Sequence, residues 1–143
     1  MQELAKLREF AARYTAAWCS HDAAKVAAFY SPSGSLTIND GAPAVGREAI
    51  AEAAQAFMTA FPDLQVDMHD VRVERDHAEY HWTLRGTNTG PGGTGKRVRI
   101  SGFESWQMSE DGSIARSRGH FDRDEYARQL REGLRPGERL TGT

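Results

Sequence analysis

The chain has 143 residues, a net charge of −2 and a pI of about 6.2. That is the length of one domain, large enough to bury a core and still enclose a small-ligand cavity. The balanced charge gives no global argument for nucleic acid, the single cysteine, Cys19, excludes an internal disulfide and a multi-cysteine metal site, and no apolar run approaches the roughly 20 residues that span a bilayer.

Leu4, Leu7, Phe10, Ala11, Tyr14, Ala17 and Trp18 recur at three- and four-residue steps, which predicts a first helix with one apolar stripe. Met1 to Lys6 lacks a signal-peptide pattern, so a cytoplasmic location is expected. Asp22 is placed to cap a short second helix running through Val26 to Phe29. Ser31 to Gly34 reads as a turn, and Leu36 to Ile38 as a short strand closed by Asn39-Asp40-Gly41. Gly46-Arg47-Glu48 opens a third helix with Ile50, Ala53, Ala54, Phe57 and Phe61 on its apolar side, and Pro62 stops it. Alternating apolar residues and turn signals then predict strands over 64–74, 77–87, 96–109 and 112–122. Gly86 to Gly95 is a glycine-rich loop, Asp124 to Arg131 a closing helix, and 134–143 a flexible tail after a single domain over 1–133. Helices first and sequential strands after imply an α+β fold. We expect a cone, with the N-terminal helices packed on a curved, mostly antiparallel sheet that encloses a pocket.

The last hairpin carries the chemistry. Side chains alternate between the faces of a strand, so Glu104, Trp106 and Met108 share one face, and Ile114, Arg116, Arg118, His120 and Asp122 share another. Trp106, Met108 and Ile114 are apolar, which points both faces inward and sets Glu104, Arg118, His120 and Asp122 around one cavity. Buried charges are costly unless paired or used, so four on one wall read as a working pocket or as an ion-pair network. Glu104 is then a second acid or the partner of Arg118, and His120 orients a neighbour, shuttles a proton or fills the core. Asp122 is a candidate acid/base, with capping of the following helix as the alternative. Trp82 and Trp106, with Tyr14, Trp18 and Phe57 from the helices, are expected to wall the cavity. His69, His77 and His81 lie close in sequence but on strands, at a spacing that does not chelate, so no metal is expected.

Gly86-Thr87-Asn88-Thr89-Gly90, Gly93 to Val98, Ser101-Gly102-Phe103-Glu104, Asp111 to Ile114, and Phe121-Asp122 followed by Gln129-Leu130 occur in an order that resembles the SnoaL-like polyketide cyclases of the nuclear-transport-factor-2-like superfamily. The resemblance covers roughly residues 4 to 132. It implies a cofactor-independent acid/base reaction, an aldol-type cyclisation or an isomerisation, on a hydrophobic polyketide-like molecule, with Asp122 as the acid/base. The family often has His where this chain has Asn88, and Asn88 is expected as a ligand contact; the loop between Gly90 and Gly93 is also shorter than usual, which would alter the pocket rim. Arg118 to Asp122 is also similar to the last strand of limonene epoxide hydrolases. Those enzymes use a further Asp two residues after an Arg, and Arg85 is followed here by Gly86 and Thr87. The family usually pairs through the outer face of the sheet, so a homodimer is expected, with Phe103, Val71 and Val73 as outward apolar residues. A non-catalytic small-ligand binder or accessory protein of the same fold is the alternative function.

Overall fold

The structure, a computed structural model, describes residues 2–134, with side chains from Leu4 onward. All but the first residue of the expected tail therefore lies outside the described residues. Helix α1, Gln2–Cys19, is the amphipathic helix foreseen from its stripe: Ala11, Tyr14, Ala17 and Trp18 are buried, while Arg8, Glu9 and Arg13 face water. Asp22 accepts hydrogen bonds from the backbone N–H groups of Ala24 and Lys25 and so starts α2, Ala23–Ala27. Strand β1, Tyr30–Ile38, leads through β2, Ala44–Val45, to α3, Arg47–Ala60, which buries Ile50, Ala54 and Met58. Four long strands follow: β3, Gln65–Val73; β4, Ala78–Thr87; β5, Arg97–Met108; and β6, Ile114–Phe121. Helix α4, Arg123–Glu132, closes the described fold.

The six strands form one open sheet in the order β2-β1-β6-β5-β4-β3. It is mixed: β1 runs parallel to β6, and the other pairs are antiparallel. Helix α1 packs against β3, α3 against β1 and α2, and α4 against β5, so the helices cover one face of the sheet. The core between them is aromatic. Tyr14 meets Phe29, Tyr80 and Trp106 edge-on at 5.3–5.6 Å, and Tyr80 stacks on Trp106 at 4.9 Å. Edge-to-face and offset-stacked rings at these spacings add roughly 0.5–1.5 kcal/mol each beyond the area they bury.

One segment departs from the expected elements. Ser31 to Gly34 is not a turn between elements; it lies inside β1, where the register against β6 shifts between Tyr30 and Ser35. Gly34 is needed there, because a Cβ on it would stand 2.8 Å from the carbonyl oxygen of Ile114.

Two further bulges decide which side chains face inward. On β3 the ladder slips at His69: Met68 pairs with Trp82 and Asp70 with His81. One extra residue reverses the parity that follows, so Val66, Met68, Val71 and Val73 all stand opposite the inward set Leu84, Trp82, Tyr80 and Ala78. The expectation that Val71 and Val73 point outward is thus corrected: Val71 is buried, and Val73 sits at the exposed end of the inner face.

On β6 the slip falls at Ala115. Met108 pairs with Ile114 and Gln107 with Arg116. Ile114 faces inward as expected, but beyond the bulge the inward residues are Ser117, Gly119 and Phe121, and the outward ones are Arg116, Arg118 and His120.

Candidate functional site

The β6 bulge dismantles the constellation read from strand parity. Arg118 and His120 are exposed on the outer face, where the His120 ring lies 4.9 Å from that of Phe103. Asp122 follows the strand, is exposed, and caps α4 by accepting the Glu125 N–H at 3.0 Å. It borders a shallow depression with Asn39, Asp40, His120 and Arg123, apart from the cavity under the helices. The expected Glu104–Arg118 ion pair is not formed; Glu104 has other partners. Asn88 is also elsewhere: buried below the 88–96 loop, it donates to the Ala60 carbonyl at 3.1 Å and accepts the Thr94 N–H at 2.8 Å, and it does not line the cavity.

The expected residues of the inner face do come together. A cavity of about 60 Å³ lies between the sheet and α1, α3 and α4. Trp18 from α1, Ala53 and Phe57 from α3, Tyr126 from α4 and Trp82 from β4 are among its walls. It would hold a few water molecules and is smaller than the roughly 300 Å³ of a typical small-molecule site. Its lining is apolar apart from Glu104, Tyr80, Tyr126, Trp18 and Trp82. The half-exposed side chains Ile38, Ala53, Phe57, Trp82, Phe121 and Tyr126 form the outer part, and the buried Trp18, Tyr80 and Glu104 form the floor.

Glu104 is the one carboxyl among the described residues that line this cavity. Its Oε1 accepts from Ser117 Oγ at 2.7 Å and Trp106 Nε1 at 2.8 Å, and the Tyr14 and Tyr30 hydroxyls, with one proton each to give, lie 3.1 and 3.5 Å from it. Among the described residues its Oε2 has one donor within reach, the same Tyr14 hydroxyl at 3.2 Å, and so keeps spare capacity. The two tyrosine hydroxyls also bond to each other at 2.9 Å. Trp106 and Tyr14 therefore serve the site from behind: neither lines the cavity, and both hold the carboxyl that does.

No cation is within ion-pairing distance of Glu104 among the described residues. Burial is the dominant influence and raises its pKa above the ordinary glutamate value; the donors of Trp106, Ser117, Tyr14 and Tyr30 pull the other way and do not cancel it. Burial and the neighbouring Glu104 charge also push Tyr14 and Tyr30 well above the usual phenol value, so both remain neutral donors. A buried carboxyl with a raised pKa can exchange a proton with a bound molecule.

Among the described residues no group of three or more His, Cys, Asp or Glu side chains is arranged to hold a metal ion. Nor is any described helix long and apolar enough to cross a membrane. One buried donor in the cavity wall lacks an acceptor: the indole N–H of Trp82.

Tyr30, Tyr80, Ser117 and Gly119 were not foreseen. Tyr80 was legible, because it shares the inward parity of Trp82 and Leu84 on β4. Ser117 and Gly119 were hidden by the bulge, and Tyr30 by the reading of 31–34 as a turn that kept it out of a strand.

A family model described as the SnoaL-like domain matches residues 11–117. No curated protein resembles the chain closely enough in sequence to count as a relative. Among solved structures, a protein assigned to the SnoaL-like polyketide cyclases from Jannaschia sp. CCS1 superposes with a TM-score of 0.76 at 18% identity, over 88% of this chain and 92% of that one. SalBIII, an epoxide hydrolase/cyclase-like enzyme of pyran ring formation in the polyether salinomycin, gives 0.75 at 17% identity, over 87% and 97%. A protein of ketosteroid isomerase-like fold from Catenulispora acidiphila DSM 44928, in complex with trimethylamine, gives 0.74 at 15% identity, over 85% and 92%. At these identities the likeness is one of fold, and a fold of this kind hosts many chemistries.

Proposed function

We propose that this chain, which belongs to the SnoaL-like domain family, is a cofactor-independent enzyme whose Glu104 performs acid/base chemistry on a small hydrophobic molecule. The observation that carries this reading is the Glu104 carboxyl itself, buried on the floor of an apolar cavity with no cation beside it among the described residues and one oxygen incompletely bonded. In its ionised form Oε2 takes a proton from a carbon next to a carbonyl. The carboxylic acid so formed returns the proton to another atom of the same molecule, which gives an isomerisation or primes an aldol-type ring closure. Tyr14, Tyr30, Trp106 and Ser117 fix the orientation of the carboxyl, and Oε1 carries most of their hydrogen bonds.

Asp122, the acid/base implied by the family resemblance, and His120, read from strand parity as its helper, have no part in this reading, because both lie outside the cavity. Epoxide hydrolysis by paired carboxylates is not favoured either, since Glu104 stands alone among the lining residues. A polyketide-like substrate fits the apolar walls, provided that the rim side chains move apart to enlarge the cavity.

The test does not need the natural substrate. Cyclic ketones are incubated with the protein in D2O, and exchange of the hydrogens next to the carbonyl is followed by NMR. Wild type accelerates exchange, and Glu104→Gln reduces it to the uncatalysed rate. Equal exchange by both proteins would overturn the assignment.

The non-catalytic alternative is favoured by one observation, the near-saturation of Oε1 by the chain's own donors. A binder of this kind would take up ketones without exchange. We further propose a homodimer through the outer sheet face, where Phe103 lies half-buried between His81 and His120. A monomer mass by light scattering at micromolar concentration would refute it.

A further inference from the structure

Two glycines stand on the inner face of the sheet near the site, and they differ in what a side chain would meet. A Cβ on Gly102 would overlap the His120 carbonyl oxygen and press on Trp82 Cζ2 at 2.9 Å and Phe121 Cβ at 3.0 Å. Gly102 is required by the packing of the indole across it. A Cβ on Gly119 would meet only Glu104 Cγ and the Thr37 carbonyl oxygen, both at 3.8 Å, which is ordinary van der Waals contact. Gly119 does not have a positive φ. It lies inside β6, paired with Glu104 on one side and Ile38 on the other.

Glycine within a strand costs stability, because it loses more chain entropy than alanine on folding and leaves nothing to pack. Neither backbone conformation nor steric pressure requires it at 119. What it does supply is space: Gly119 is buried, lines the cavity, and leaves the wall bare next to the Glu104 side chain. Strand glycines mark bulges, bends or places where a ligand or another backbone comes close, and no other backbone presses on this one.

The same wall offers a polar handle. Trp82 stands opposite Gly102, and Glu104 opposite Gly119, in adjacent cross-strand rows of the inner face. Two residues along a strand separate such rows by roughly 7 Å. The Trp82 indole N–H, buried without an acceptor, would be satisfied by an oxygen on the ligand.

We propose that Gly119 is the position that admits the ligand to Glu104 and limits its size, and that the ligand is a flat, hydrophobic ketone. Its ring edge lies over the backbone of Gly119 and its oxygen meets the Trp82 N–H. The role of Gly119 rests on Glu104 being the reacting group only for the reaction; for binding it rests on the cavity alone. A methyl group at 119 takes a substantial part of about 60 Å³. Gly119→Ala should therefore fold, with a melting temperature equal to or above that of the wild type, while it excludes the larger molecules the wild type accepts.

The experiment uses cyclohexanone, with one ring, and β-tetralone, with two, as probes of the intact chain. Binding is read by tryptophan fluorescence, and exchange next to the carbonyl by NMR in D2O. Gly119→Ala is expected to weaken β-tetralone binding at least tenfold and to weaken cyclohexanone binding less. Trp82→Phe, which keeps a ring and deletes the N–H, is expected to weaken β-tetralone binding and leave that of tetralin, its hydrocarbon analogue, unchanged. A lower melting temperature for Gly119→Ala would show that the fold itself needs the glycine, and would overturn the proposal. Unchanged β-tetralone affinity in that variant would do the same. Binding that depends on residue 119 without exchange in any protein would remove the catalytic reading of Glu104 and leave the role of Gly119 standing.

Discussion

Glu104, inside β5, and Asp122, just after β6, are both carboxylates of the last hairpin region, and the fold treats them in opposite ways. Glu104 is buried and held by hydroxyl and indole donors, with no cation near it among the described residues. Asp122 is exposed and spends its side chain on the backbone N–H of Glu125 at the start of α4. The first is kept where its charged form is disfavoured and its proton is useful; the second is kept where its charge supports a helix terminus. Residue type and strand position made them look alike, and the solvent and donors around each decide what it can do.

The largest expected effect separates the two directly. Glu104→Gln should lower catalysed proton exchange at least 100-fold, within the roughly 10²–10⁴-fold range of general acid/base catalysis. Asp122→Asn should leave it within about twofold. Matching losses in both variants, measured by NMR exchange rates, would erase the distinction.

Asp122 should matter for stability instead. Asp122→Ala removes the cap of α4 and is expected to cost about 0.5–2 kcal/mol in denaturant unfolding, with no change in ligand affinity. Ser117→Ala removes the shortest donor to Glu104. It is expected to cost about 1 kcal/mol and to raise the Glu104 pKa further, which shifts the pH–exchange profile upward. A profile that stays in place would mean that Ser117 does not act through the carboxyl.

The pH dependence of stability gives a signed test. Burial raises the native pKa of Glu104 above its ordinary value of 4.5, so the folded state binds this proton more tightly than the unfolded state. The associated stability is fully present below about 4.5 and is lost as pH rises through the native pKa. Glu104→Gln lacks that loss. The stability of the variant relative to wild type should therefore increase as pH is raised from 4 toward 8 in thermal unfolding; a flat or falling difference would contradict the burial argument. The smallest effect is expected at Arg118, exposed on the outer face: Arg118→Ala should change stability by no more than about 0.5 kcal/mol and leave exchange untouched.

The residues that were legible in the sequence were those governed by uninterrupted periodicity. The stripe of α1, the Asp22 cap, the third helix and the inward face of β5 that carries Glu104 and Trp106 all follow from it. The errors arose where one residue was inserted into a ladder. On β3 the apolar set changes parity between Met68 and Val71, which was a readable sign of the bulge at His69. On β6 the sign was energetic. Keeping Arg116, Arg118, His120 and Asp122 inward would bury several charges, and that costs far more than one bulge at Ala115 followed by Ser117, Gly119 and Phe121 on the inner face. Gly119 drew no attention because its meaning depends on what stands across from it, and only the register supplies that.

The central claim is that Glu104 is a buried carboxyl that titrates above the ordinary range. Labelling glutamate side-chain carboxyls with carbon-13 and following them by NMR from pH 3 to 9, with Glu104→Gln to assign the resonance, tests it most directly. The expected result is a Glu104 resonance that titrates clearly above 4.5; titration at or below that value would mean that its donors outweigh burial, and would leave Glu104 a structural anion instead of an acid/base.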